Sequence, residues 1–218
     1  MHDEKNVLQK VSHSLGRLKP VDRPPAPPHL DEPLVRLVLS DIGLPALFQK
    51  KALESKIGVT PVRVEALHEE LVAHLKQLKV RSVMLPRSRF LERLEIAKAL
   101  QAAGFVTRHW DEITLDEAYE FDASVTDVYR VIAETGSLVM RASPTHGRAL
   151  TLVPALHVAI VEPKNCVGDL IDLLELLEKD NTSSGTFIIS GPSKTADIEM
   201  NLVTGVHGPG KVQVFLLK

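Results

Sequence analysis

Residues 59–110 read VTPVRVEALHEELVAHLKQLKVRSVMLPRSRFLERLEIAKALQAAGFVTRHW, and the alternation inside this stretch decides the fold class. Val59 to Val64 is short and rich in β-branched residues, which predicts a strand. Val64 to Leu78 then sets Leu67, Leu71 and Leu75 on one helical face, and Arg81 to Leu85 is an apolar run of buried-strand type. Ser88 to Ala103 reads as a helix closed by Gly104, and Phe105 to Trp110 as another strand. Strands separated by helices long enough to cross a sheet are the pattern of an α/β fold with parallel pairing.

Outward toward the C-terminus the spacing shortens. Ala123–Val128, Val131–Glu134, Ser137–Met140, Leu150–Val153 and Leu156–Val161 read as strands, with turns at Gly136, Pro144–Gly147 and Pro154. Such short connections predict antiparallel pairs in the middle of the sheet. A helix over Val167–Lys179, a strand over Thr186–Ser190, a short helix near Thr195–Val203 and a strand over Val212–Leu217 complete this half.

Toward the N-terminus, one or two helices are expected between Pro33 and Ile57. Before them, Val7, Leu8, Val11, Leu15 and Leu18 form an apolar stripe over Asp3–Leu18. The run Pro24-Pro25-Ala26-Pro27-Pro28 favours an extended spacer. The reading is a helical arm over residues 1–58 and an α/β domain over 59–218. The arm's stripe can dock on its own core, on a second copy or on a partner.

The chain has 218 residues, 44% hydrophobic and 25% charged, which excludes disorder and disulfide-scaffold architectures. Its single cysteine, Cys166, excludes an internal disulfide and any thiolate-held zinc or iron–sulfur site. No stretch approaches the length of a membrane span and no signal peptide is evident, so a cytoplasmic protein is expected. Residues 1–110 carry a net +6 and residues 111–218 a net −8. That asymmetry suits contact between the halves or with a partner, but without a concentrated basic face bearing stacking aromatics it does not suit nucleic acid.

The densest chemistry lies in Ser190-Gly191-Pro192-Ser193-Lys194-Thr195-Ala196-Asp197-Ile198-Glu199. Read as a strand end feeding a helix start, it offers backbone N–H groups, hydroxyls and an ammonium to an anion. Equally, Ser193 or Thr195 caps a helix whose dipole Asp197 and Glu199 complement. His207 stands between glycines in Gly205-Val206-His207-Gly208-Pro209-Gly210. Glu134 precedes the Thr135-Gly136 turn, where it is either a base or nucleophile or a solvent-facing acid. Arg148 is placed to clamp a carboxylate or to lie in a surface loop. No metal-binding histidine spacing, serine-hydrolase elbow or dinucleotide fingerprint is present.

Ala133-Glu134-Thr135-Gly136, the Leu152-Val153-Pro154 to His157 segment, Gly191 to Glu199 and Gly205 to Pro209 together resemble the LUD domain, the domain of the lactate utilization protein C family. The resemblance spans residues 60–218. It implies a fold like that of the ribose-5-phosphate isomerase and CoA-transferase group: three layers, with a mixed, mostly parallel sheet between helices, here preceded by the arm. It also implies a part in oxidising L-lactate to pyruvate, in a three-component system whose other members carry the iron–sulfur clusters. This chain would then be the component without an intrinsic cofactor. On that reading Glu134 and His207 are the catalytic candidates. Thr135, Gly136, Arg148, Gly191, Pro192, Ser193, Lys194, Thr195, Asp197, Glu199 and Gly208 are the candidates for holding a small anion, whether carboxylate, phosphate or nucleotide. The rival reading is a free-standing small-anion or nucleotide-binding enzyme, with Glu134, Lys194 and His207 in one cleft. A plain interaction module is the third.

Overall fold

The computed structural model describes residues 4–16, 42–180, 183–196, 202–205 and 208–218. Residues 1–37 and 38–218 form separate compact units. In the first, helix α1 covers Glu4–Ser14. The proline spacer and the part up to Asp41 of the Pro33–Ile57 segment, in which one or two helices are expected, lie outside the described residues.

The second unit is organised by six strands: β1 (Gly58–Val62), β2 (Ser82–Leu85), β3 (Val106–His109), β4 (Ala123–Asp127), β7 (Leu156–Val161) and β12 (Lys211–Leu217). Their order is β1-β12-β7-β4-β2-β3. Every pairing in this sheet is parallel. The antiparallel pairs expected in its middle belong instead to a second sheet. That sheet holds β5 (Arg130–Ile132), β6 (Ser137–Arg141), β8 (Cys166–Val167) and β9 (Thr186–Ile189), in the order β8-β5-β6-β9. The chain turns back at Glu134–Gly136, so β5 and β6 pair with each other, and β9 adds to β6.

Helices α3 (Leu67–Gln77), α4 (Arg89–Arg93) and α5 (Ile96–Ala102) cover one face of the parallel sheet. Leu67, Leu71 and Leu75 are fully buried there against Val83, Val125, Val158 and Phe215; at about 2 kcal/mol each, such leucines hold this layer. The helix read as continuous from Ser88 to Ala103 breaks between α4 and α5, where Glu95 takes a left-handed conformation (φ 50°). The other face is covered by the second sheet and by α2 (Leu44–Glu54), whose Phe48 and Ala52 are fully buried with Ala159, Val161 and Val214. Beyond the second sheet lies α8 (Leu170–Lys179), capped by the Asp169 side chain; it starts three residues later than expected because Cys166 and Val167 pair with β5.

Two further expectations are corrected. Leu150–Val153 is not a strand: beyond the one-turn helix α6 (Leu115–Ala118), Ala149–Leu152 forms the one-turn helix α7, and the Ser124 hydroxyl donates to the Leu150 carbonyl. No helix opens at Lys194. Lys194–Ala196 (β10) and Leu202–Thr204 (β11) form an antiparallel ribbon, fixed where Ser193 donates to the Pro209 carbonyl (2.8 Å) and accepts from the Gly205 N–H (3.0 Å). Among the described residues, no helix is long and apolar enough to cross a membrane.

Candidate functional site

Parallel strands all end on one edge, and in open α/β sheets ligands sit in the crevice outside those carboxyl ends. Here β4 delivers Asp127 to that edge. One carboxylate oxygen accepts a hydrogen bond from Ser88 Oγ (2.6 Å), which in turn caps α4 by accepting from Phe90 N (3.2 Å). The other, Oδ1, is buried without a hydrogen-bond partner and stands 3.7 Å from His146 Nδ1.

His146 lies in the loop 142–148 that joins β6 to α7. The loop is held in three ways. Ser143 and His146 exchange backbone hydrogen bonds of 3.1 Å, and Arg87 N donates to the Thr145 carbonyl (3.2 Å). The Trp110 indole presses on Gly147, where a methyl group would lie 2.0 Å from the ring. Arg87 itself is fixed at the rim by Asp111, whose two oxygens lie at 2.7 and 3.0 Å, and by Glu112. Inward from His146, the fully buried His157 of β7 pairs with Thr126 Oγ1 through Nε2 (2.8 Å).

Asp127 Oδ1, His146 Nε2 and His157 Nδ1 are all buried without partners. Buried polar atoms are almost always paired, so three orphans on neighbouring groups mark a place built for something other than packing. Burial holds the His146 imidazole below its ordinary range, against the opposing pull of the Asp127 charge. Burial, reinforced by His146, pushes His157 down to about 3. At neutral pH both rings are therefore uncharged. A neutral imidazole backed by a carboxylate is the arrangement of a general base: it takes up a proton, and the carboxylate stabilises the resulting cation.

The nominated residues fall mostly at the opposite, amino edge. Gly136 has φ 68°, and a methyl group there would lie 2.1 Å from Ala52 N, so the Glu134–Gly136 turn rests directly on the α2 backbone. Thr135 Oγ1, Ser137 Oγ and Ser190 Oγ form a hydroxyl chain with steps of 2.7 Å. Gly191, at φ 133°, lies against the Ser55 carbonyl at the end of α2, and Gly208 packs on Ser193. The structure thus brings Thr135, Gly136, Gly191, Ser193 and Gly208 together around the C-terminal end of α2. Glu134 is half-buried and donates its backbone N–H to the Gly168 carbonyl.

Pro192 and Lys194 line a cavity that Glu134 does not. Thr195 pairs with Val203 in the ribbon. Arg148 is exposed in the His146 loop, at the carboxyl edge, away from that cavity. His207, Asp197 and Glu199 lie outside the described residues. Sequence reasoning passed over Ser88, Thr126, Asp127 and His146 as chemical groups. Two signals were present: Asp127 ends an apolar strand, the feature used to single out Glu134, and His157 is the one ionisable residue in Leu156–Val161.

The LUD domain model matches residues 48–217. Lactate utilization protein C of Bacillus licheniformis is 25% identical over 234 residues, covering 100% of this chain and 97% of that protein. Its counterpart in Bacillus subtilis is 24% identical over 233 residues, with the same coverage of 100% and 97%. A DUF162 family protein of known structure from Deinococcus radiodurans superposes with a TM-score of 0.60 at 21% identity, covering 83% of this chain and 99% of that one, which shows the shared fold. A family match that runs from within α2 to the end of β12 takes in both edges of the sheet: the chain belongs to the LUD domain family.

Proposed function

We propose that this chain is the cluster-free subunit of an iron–sulfur-dependent system that oxidises L-lactate to pyruvate, and that the carboxyl-edge site is where it meets the substrate. Relatives named lactate utilization protein C that align with the whole chain support the lactate assignment. The observation that carries the chemistry is the neutral, half-orphaned His146 beside Asp127. Oxidation of a 2-hydroxy acid removes the hydroxyl proton, a second proton and two electrons. His146 Nε2 accepts the hydroxyl proton, Asp127 stabilises the imidazolium, and exposed Arg148 on the same loop pairs with the lactate carboxylate.

The electrons must leave the chain. Its single cysteine, Cys166, is half-buried and burial pushes its thiol up to about 11; among the described residues no cluster of three metal-binding side chains exists. An iron–sulfur cluster does not fit this donor set, and the clusters belong to partner subunits. The test is genetic and biochemical together. The tagged chain should restore growth on L-lactate to a deletion strain and co-purify with cysteine-rich iron–sulfur proteins. Normal growth of the deletion strain on L-lactate overturns the proposal.

A further inference from the structure

The amino edge holds a second feature, unconnected with the Asp127 site. A cavity of about 280 Å³ opens beside the first residues of β12. Three lysines from three separate segments converge on it: Lys56 just past α2, Lys194 at the start of β10 and Lys211 at the start of β12. Among the described residues, no carboxylate lines the cavity and none lies within ion-pair distance of these three ammonium groups. Gathering like charges without a counter-charge costs free energy, which a bound anion returns.

His74, from the last turn of α3, supplies a second and independent sign. Its Nε2 is buried without a partner, and its ring stands edge-on to Phe215 at 5.9 Å. Burial, and then the charge of Lys211, keeps this imidazole below its ordinary range, so at neutral pH it adds a hydrogen-bonding group. A neighbouring cavity of about 460 Å³ shares Leu78, Leu156, Gly210 and Lys211 with the first, so Lys211 stands at the junction. The one carboxylate among the described residues that line that neighbour, Asp122, is already engaged by Arg81 N (2.8 Å) and by Ser82 N and Oγ (3.1 and 3.2 Å).

We propose that the Lys56–Lys194–Lys211–His74 cavity binds a diphosphate group, either free or carried on a nucleotide whose remainder extends past Lys211. The volume suits a small ligand, and three ammonium groups match a multiply charged oxyanion better than a monocarboxylate. This inference does not depend on the lactate reading.

The experiment is calorimetric titration of the full chain with pyrophosphate and, separately, with ADP, at constant ionic strength, repeated with Lys56→Gln, Lys194→Gln, Lys211→Gln and the triple variant. The three lysines are exposed, so the variants keep the fold, which circular dichroism checks. Saturable one-to-one binding is expected, weakened about tenfold by each replacement and abolished in the triple variant. Equal affinities would assign the free diphosphate, and tighter ADP binding the nucleotide. Absence of saturable binding by both probes, or binding unchanged in the triple variant, overturns the proposal.

Discussion

Replacing His157 by glutamine should flatten the acid sensitivity of this protein. The imidazole is fully buried and pushed down to about 3 from an ordinary 6.5, so the folded chain resists a proton that the unfolded chain takes readily. Because the folded value is the lower one, the folded state is favoured above 6.5 and loses ground steadily as the pH falls toward 3. At pH 5 the unfolded chain is protonated here and the folded chain is not. The difference is worth about 2 kcal/mol, from 1.36 kcal/mol per pH unit below 6.5. His74 and His146 are shifted the same way and add to the wild-type slope. Asp111, held low by its hydrogen bond to Arg87, acts only nearer its ordinary 3.8, outside this window. Glutamine at 157 keeps a partner for Thr126 Oγ1 and removes the titration. Urea unfolding followed through Trp110, the single tryptophan, gives the stability at pH 7.5 and pH 5.0. The variant should lose about 2 kcal/mol less than wild type between the two. Equal losses would refute the burial argument.

Three further outcomes are expected. Gly136→Ala combines left-handed strain with a methyl group driven into the α2 backbone, and should cost about 3 kcal/mol in chemical denaturation; a loss under about 1 kcal/mol would mean that the turn does not rest on α2. Phe48→Ala should cost about 3–5 kcal/mol by the same assay if α2 is part of the core, and almost nothing if it is a loose appendage. Asp127→Asn keeps an acceptor for Ser88 and removes the charge facing His146. It should lower lactate-dependent turnover of the assembled system about 100-fold and move the acidic limb of its pH profile, set by deprotonation of His146, to lower pH, a shift that a merely structural role would not produce.

Most of the six parallel strands were legible as short apolar or β-branched runs bounded by glycine, proline or charge, β3 by following the Gly104 helix stop, and α3 from Leu67, Leu71 and Leu75. Local spacing could not reveal sheet membership. β5 and β6 are legible as short strands on either side of the Gly136 turn, and antiparallel pairing is expected from such spacing, but nothing in Val131–Met140 says that they leave the main sheet. Ala149–Leu152 is apolar and short, a pattern that strand and helix share, and its partner Ser124 lies on a distant strand. The Gly191–Glu199 string has the composition of a helix start, yet the backbone bonds of Ser193 to Gly205 and Pro209 draw Lys194–Ala196 into a ribbon. The carboxyl-edge site was least legible. Asp127 ends β4 while Ser88 and His146 lie in two connections, and it takes the β2–β4 pairing and the Arg87–Thr145 backbone bond to bring them into one place.

The strand order also carries a consequence for how the chain is made. β1 has β12 as its single neighbour in the sheet, and α2 buries Phe48 and Ala52 against Val212, Val214 and Leu216 of that same strand. While the ribosome is still synthesising the middle of the chain, the apolar face of α2 and the open edge of β1 have nothing to complete them. The nascent protein must therefore hold sticky surface at its beginning until residues 211–217 emerge. Contacts of such long range close slowly and leave intermediates prone to aggregation. A chain stopped short of β12 would leave the β1 edge unpaired and part of the α2 face uncovered at once, which exposes both to a chaperone or protease.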